Sequence, residues 1–170
     1  MVFKLTVKSG GTWTEKVVHG FGKGKDAVNP YASLVFDGHG NLYGTTYQGG
    51  TYNAGAVYEL TAGVGGTWTE KVLHSFGKGT DGDNSYANLI FDTAGNLYGT
   101  TAGGGTLGAG TAFKLSPGAA GKWNETVLYN FNQRGNAPEA SLIFDASGNL
   151  YGTTTGGGTY GGGTVFEVTP

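Results

Sequence analysis

The residues best placed to do chemistry in this chain are three histidines, a set of recurring aspartates and the stretch TDGDN at Thr80. His19 and His74 stand at matching places in WTEKVVHGF and WTEKVLHSF, and Tyr129 stands there in a third copy. A zinc ligand is not ordinarily exchanged for tyrosine, and no second histidine lies at ligand spacing. Both histidines therefore read as half-buried strand positions, and His39 as a lone turn residue. Asp37, Asp92 and Asp145 each precede an asparagine by four residues, at Asn41, Asn96 and Asn149. Repeated carboxylates suggest calcium, but this spacing suits a turn between two strands, where Asp and Asn bond their own backbone. In TDGDN, Asp81, Asp83 and Asn84 offer hard oxygens for calcium. The matching stretches KDAVN and QRGNA do not keep the pattern, so a solvated loop is expected and no metal.

Other chemistries fail on context. GFGKGK at Gly20 has alternate glycines but no helix after it to receive a pyrophosphate. GGGTLGAG lacks the lysine and hydroxyl of a phosphate loop. Serine, histidine and acid never recur in an arrangement that would activate a nucleophile. No enzyme and no cofactor are expected. A binding surface is the stronger alternative: Tyr31 and Tyr86 could stack on a sugar, with Asn29, Asp81 and Asn84 as polar partners. Glu139 replaces the tyrosine in the third copy, so a glycan site of this kind would not be uniform.

The elements that would position these residues repeat. Trp13, Trp68 and Trp123 are spaced by 55 residues, and GNLYGTT recurs from Gly40, Gly95 and Gly148. Repeats of this length point to a propeller or a solenoid. The units span about 2–55, 56–110 and 111–163, with a terminal strand at 164–170. Each reads as four strands: LIFD, LYGTT, a run such as AVYEL, and WTEKVLHSF. WTEKVLHSF has bulky residues on both parities, as a strand buried from both sides would. Gly44, Gly99 and Gly152 inside LYGTT suit close approach of a neighbouring backbone. Trp13, Trp68 and Trp123 are expected to cap the core between units. Helix signals are absent. The expected fold class is all-β, with four-stranded antiparallel β-propeller blades.

GNLYGTT.GGG followed by GTVFEVTP resembles the GloVer-type tandem repeat of bacterial exported proteins, and the LIFD..GNLYGTT hairpin is similar to NHL-type propeller blades. The resemblance covers nearly the whole chain. It implies a propeller-like protein, extracellular or at the cell surface in its parent, and brings no catalytic residues.

The totals agree. The chain has 35 glycines in 170 residues, 13% aromatic residues, no cysteine and a net charge of −2. Glycine with this many rings reads as short strands and tight turns rather than disorder. No basic stripe offers itself to nucleic acid or to an anionic membrane. MVFKLTVK enters a strand pattern at once, without a signal peptide, so the chain reads as an excised or redesigned piece and its own location is left open. Three blades cannot close a ring, since propellers typically have about four to eight. The expected partner is the chain itself, as a nine-bladed homotrimer or alternatively a six-bladed homodimer. The third strand is present four times, from Val2, Val57, Ala112 and Val165, so one copy should be displaced at each junction.

Overall fold

A computed structural model describes residues 1–24 and 26–169. It is all-β, and the two helical turns, at Val64–Gly66 and Ala119–Gly121, are single 3-10 turns. The first hairpin pairs β1 (Val2–Val7) with β2 (Trp13–His19). Next come β3 (Ala27–Val28), β4 (Val35–Phe36), β5 (Leu42–Thr46), β6 (Gln48–Gly49), β7 (Ala56–Ala62) and β8 (Trp68–Ser75). The second unit repeats them as β9 (Gly82–Asp83), β10 (Ile90–Phe91), β11 (Leu97–Thr101), β12 (Gly103–Gly104), β13 (Thr111–Pro117) and β14 (Trp123–Asn130). The third gives β15 (Gly135–Asn136), β16 (Ile143–Phe144), β17 (Leu150–Thr154), β18 (Gly156–Gly157) and β19 (Thr164–Val168).

Two sheets are complete and antiparallel, in the orders β4-β5-β7-β8 and β10-β11-β13-β14. The third is β16-β17-β19, three strands. The expected four-strand unit is therefore present, with a first strand only two residues long. The sequence pattern did not reveal the small ladders β3-β6, β9-β12 and β15-β18, which tie each glycine-rich loop to the start of its own unit. Two-residue pairings leave no periodic trace to read.

The sheets pack in chain order through three apolar clusters. The first joins Val2 to Leu42, Tyr58 and Leu60; the second joins Tyr43 and Val57 to Leu97, Phe113 and Leu115; the third joins Tyr98 and Ala112 to Leu142, Leu150 and Val168. β5 and β11 are buried along their whole length, as strands covered on both faces must be. The expectation of full two-sided burial fails for β8, whose residues are half-buried or exposed because it runs along the outside of its sheet.

Gly44, Gly99 and Gly152 also correct the reading made from sequence. A side chain at Gly99 would collide with the Phe113 ring at 2.7 Å, and at Gly152 with Phe166 at 2.5 Å. What approaches is the aromatic side chain of the cross-strand partner, not a neighbouring backbone. The tryptophans divide: Trp68 and Trp123 pack against the clusters, whereas Trp13 is 64% exposed.

The aspartate turns form as expected. Asp92 Oδ1 accepts from the backbone N–H groups of Ala94 and Asn96, and Oδ2 from the Asn96 side chain at 2.7 Å and the Tyr98 hydroxyl at 3.0 Å. Burial works to raise its pKa, but the hydrogen bonds from Asn96, Tyr98 and Ala94 outweigh it and hold the carboxyl below its usual value. A carboxyl with a lowered folded-state pKa contributes stability that is complete above its unfolded value and lost as pH falls through the folded one. Asp92→Asn should therefore cost about 2 kcal/mol at pH 7. That loss should shrink in denaturant titrations as pH falls through the lowered folded-state pKa of Asp92, below which both proteins are uncharged at this position.

Candidate functional site

The first two seams between successive sheets carry the same group of polar side chains. At the first, His19 from the end of β2 meets Asp26 in the loop before β3 and Glu70 from the middle of β8. At the second, His74 from β8 meets Asp81 before β9 and Glu125 from β14. Each residue of one group stands 55 positions after its counterpart in the other. In both, one ligand atom from each side chain lies within 4.8 Å of the others.

The sequence brings them together by parity and by loop geometry. Glu70 shares a strand parity with Trp68 and Val72, so it leaves β8 on the face that packs on the preceding sheet. The β3-β6 and β9-β12 ladders hold the aspartate loops in place. Gly50 N–H donates to the Asp26 carbonyl, and Gly105 N–H to that of Asp81. An aromatic file lies under each group: His19, Phe21 and Tyr58 stack edge to face, as do His74, Phe76 and Phe113.

The acids are taken out of water. Side chains of Asp26, Glu70, Asp81 and Glu125 are 8%, 10%, 5% and 14% exposed. His74 Nε2 hydrogen-bonds Asp81 Oδ2 at 2.9 Å, and Gly82 N–H donates to Asp81 Oδ1 at 2.7 Å. At the other seam His19 Nε2 comes within 2.9 Å of Glu70 Oε2 and 3.7 Å of Asp26 Oδ2, but makes no hydrogen bond. Asp26 Oδ1 and Glu125 Oε1 are likewise buried without a partner. Burial and then the facing Asp26 push the Glu70 carboxyl up to about 8; burial and Asp81 do the same to Glu125. Asp26 and Asp81 move down, since hydrogen bonds outweigh the effect of their burial. In each pair the two carboxyls are pushed apart, the glutamate upward and the aspartate downward.

The residues proposed from sequence are placed as follows. Tyr31 and Tyr86 do come together, with ring centroids 5.4 Å apart, and Tyr47 joins them at 5.9 and 4.9 Å. Asn29 and Asn84 adopt positive φ; the Asn29 side chain donates to Gln48 of its own unit, and that of Asn84 donates to the Tyr47 carbonyl of the preceding one. They serve as loop fasteners beside the tyrosines. Asp81 is not among them: it is buried in the seam group, so the expected solvated TDGDN loop is corrected at this residue. Aligning KDAVN with TDGDN puts Asp26 under Asp81, the signal that would have revealed the repeat. The glutamates gave no signal of their own, because WTEK reads as an exposed strand end. His19 and His74, read as plain strand positions, are members of these groups.

The third unit differs. Tyr129 keeps the aromatic file with Phe131 and Phe166, and the equivalent of Asp81 is Arg134, whose carbonyl accepts from Gly158 N–H as that of Asp81 does from Gly105.

These repeating sheets and seams define a tandem-repeat all-β protein. The chain matches the Gloeobacter/Verrucomicrobia repeat over residues 1–170, and it belongs to that family. A search of curated proteins returned no match.

Proposed function

We propose that the chain is a non-enzymatic structural and interaction module whose sheets are β-propeller blades, and that copies of the 170-residue span associate head to tail into a closed ring. A trimer of nine blades is the favoured form. The observation that carries this reading is a contrast between equivalent positions. Leu60 and Leu115 are 0% exposed, while their counterpart Leu5 is 51% exposed on the outer face of the first hairpin. Val57 and Ala112 are 0% exposed, while their counterpart Val165 is 78% exposed at the other end. Apolar faces buried at every internal seam and open at both ends are made to meet. In a longer protein, flanking units would cover them; in the isolated span, other copies do.

The edges are complementary as well. β16-β17-β19 lacks a fourth strand, and a cleft of about 370 Å³ lies beside β19, lined in part by Tyr129, Phe131, Arg134 and Phe166. β2 of a neighbouring copy is the missing fourth strand. β1, exposed along five of its six residues, is the third strand that gives way. Repeat equivalence then brings Glu15, the counterpart of Glu70 and Glu125, onto Arg134. Glu15→Arg and Arg134→Glu should each weaken association roughly tenfold, with the double variant recovering it, by sedimentation. Equal masses for all four proteins would refute this junction.

A second reading, a shallow carbohydrate-binding surface, is favoured by the Tyr31–Tyr47–Tyr86 cluster, with Tyr31 65% exposed. A glycan-array signal lost in Tyr31→Ala would support it; an empty array would leave the structural reading alone.

A further inference from the structure

We propose that the first two seams are divalent-cation sites, with His19, Asp26 and Glu70 as ligands at the first and His74, Asp81 and Glu125 at the second. Each site joins two sheets, since the histidine comes from the outer strand of one sheet and the glutamate from the outer strand of the next.

The donor set is one imidazole nitrogen and two carboxylates. This mixture suits Zn²⁺, Mn²⁺ or Co²⁺ better than Ca²⁺ or Mg²⁺, which favour oxygen alone. The histidine nitrogen lies 2.9 and 3.7 Å from the carboxylate oxygens at the first seam and 2.9 and 3.9 Å at the second, separations that fit around an ion held at about 2.0–2.2 Å from each ligand. The arrangement occurs twice, from the same three repeat positions.

Two observations independent of the clustering point to a cation. The first is unspent bonding capacity. The Asp26 side chain is 8% exposed, with Oδ1 buried and unpartnered, and His19 Nε2 is buried between two carboxylates without a hydrogen bond. Glu125 Oε1 is in the same condition. Buried polar atoms in native proteins are otherwise almost always satisfied. Among the described residues, no lysine or arginine ion-pairs with these four acids; histidine is their sole basic partner.

The second is the third seam. There the histidine is Tyr129 and the aspartate is Arg134. Two ligands are lost and a fixed positive charge appears in the same unit, opposite the position a glutamate would enter. A seam with the ligands leaves the positive charge to an ion; the seam without them carries its own. The cation site stands whether or not copies of the chain associate.

The test is a titration of chelator-treated protein with Co²⁺, whose visible bands report its ligand field, alongside native mass spectrometry with Zn²⁺. Two ions per chain are expected. His74→Ala should leave one, and His19→Ala with His74→Ala none. Asp81→Asn, nearly isosteric, should also remove one ion while circular dichroism shows the sheets intact, which covers the case of a misfolded alanine variant. No stoichiometric binding by the folded protein, or binding undiminished in the double variant, would overturn the proposal.

Discussion

Phe113→Ala should lower stability by about 4 kcal/mol and the Tm by roughly 10 °C, measured by denaturant and thermal unfolding. Phe113 is fully buried on β13 and lies across Gly99 of the adjacent strand, where the missing side chain makes room for the ring. It also ends the file of His74 and Phe76, with ring centroids 5.1 Å from Phe76. Removing it leaves a void bounded by backbone that is already paired on both sides, and so poorly able to collapse. Val64→Ala, at a residue 97% exposed, should stay within about 0.5 kcal/mol of the parent. Similar losses at the two sites would mean that the second cluster is not the packed core described above.

Gly104→Ala should be comparably damaging through a different cause. Gly104 has a φ of +72°, and a Cβ there would lie 2.6 Å from the Asp81 carbonyl oxygen and 2.7 Å from the Asp83 nitrogen. Those atoms are backbone of β9 and of the residue just before it, and cannot swing aside as a side chain could. Separating them costs the ladder and loosens the loop that carries Asp81 to His74. Gly95 is the control: its φ is +82°, but nothing lies within 4 Å of an added Cβ. Gly95→Ala should show only the left-handed backbone cost of about 1–2 kcal/mol, while Gly104→Ala loses at least about 3 kcal/mol. Equal losses would mean that the contact with the aspartate loop contributes nothing.

Much of this architecture was written in the sequence, because repetition supplies information that a single unit does not. The spacing of Trp13, Trp68 and Trp123 gave the period, and the Asp92–Asn96 turn was legible from two side chains four residues apart. Three copies of one strand pattern gave an all-β chain. The small ladders were not legible, since glycine pairs such as Gly82 and Gly104 look like loop in any window. The role of Gly99 was half legible: close approach was right, the approaching group was not.

The seam groups were hidden for a physical reason. His74, Asp81 and Glu125 are separated by up to 51 residues and are joined only when one sheet stacks on the next. Register along the strands decides which residues of WTEK face the seam, and composition carries no trace of it. Alignment of Asp26 with Asp81 was the one accessible clue, and the differing third unit obscured it. The tyrosine pair, by contrast, was found from sequence because both rings sit at the same position of neighbouring loops.

The claim that copies of this span close on one another is tested most directly by the solution mass of the purified chain, by native mass spectrometry or light scattering. The expected result is a single species of three times 17.4 kDa, stable on dilution. A dimer would preserve the association and reduce the ring to six blades. A folded species that stays at 17.4 kDa at every concentration would contradict the account.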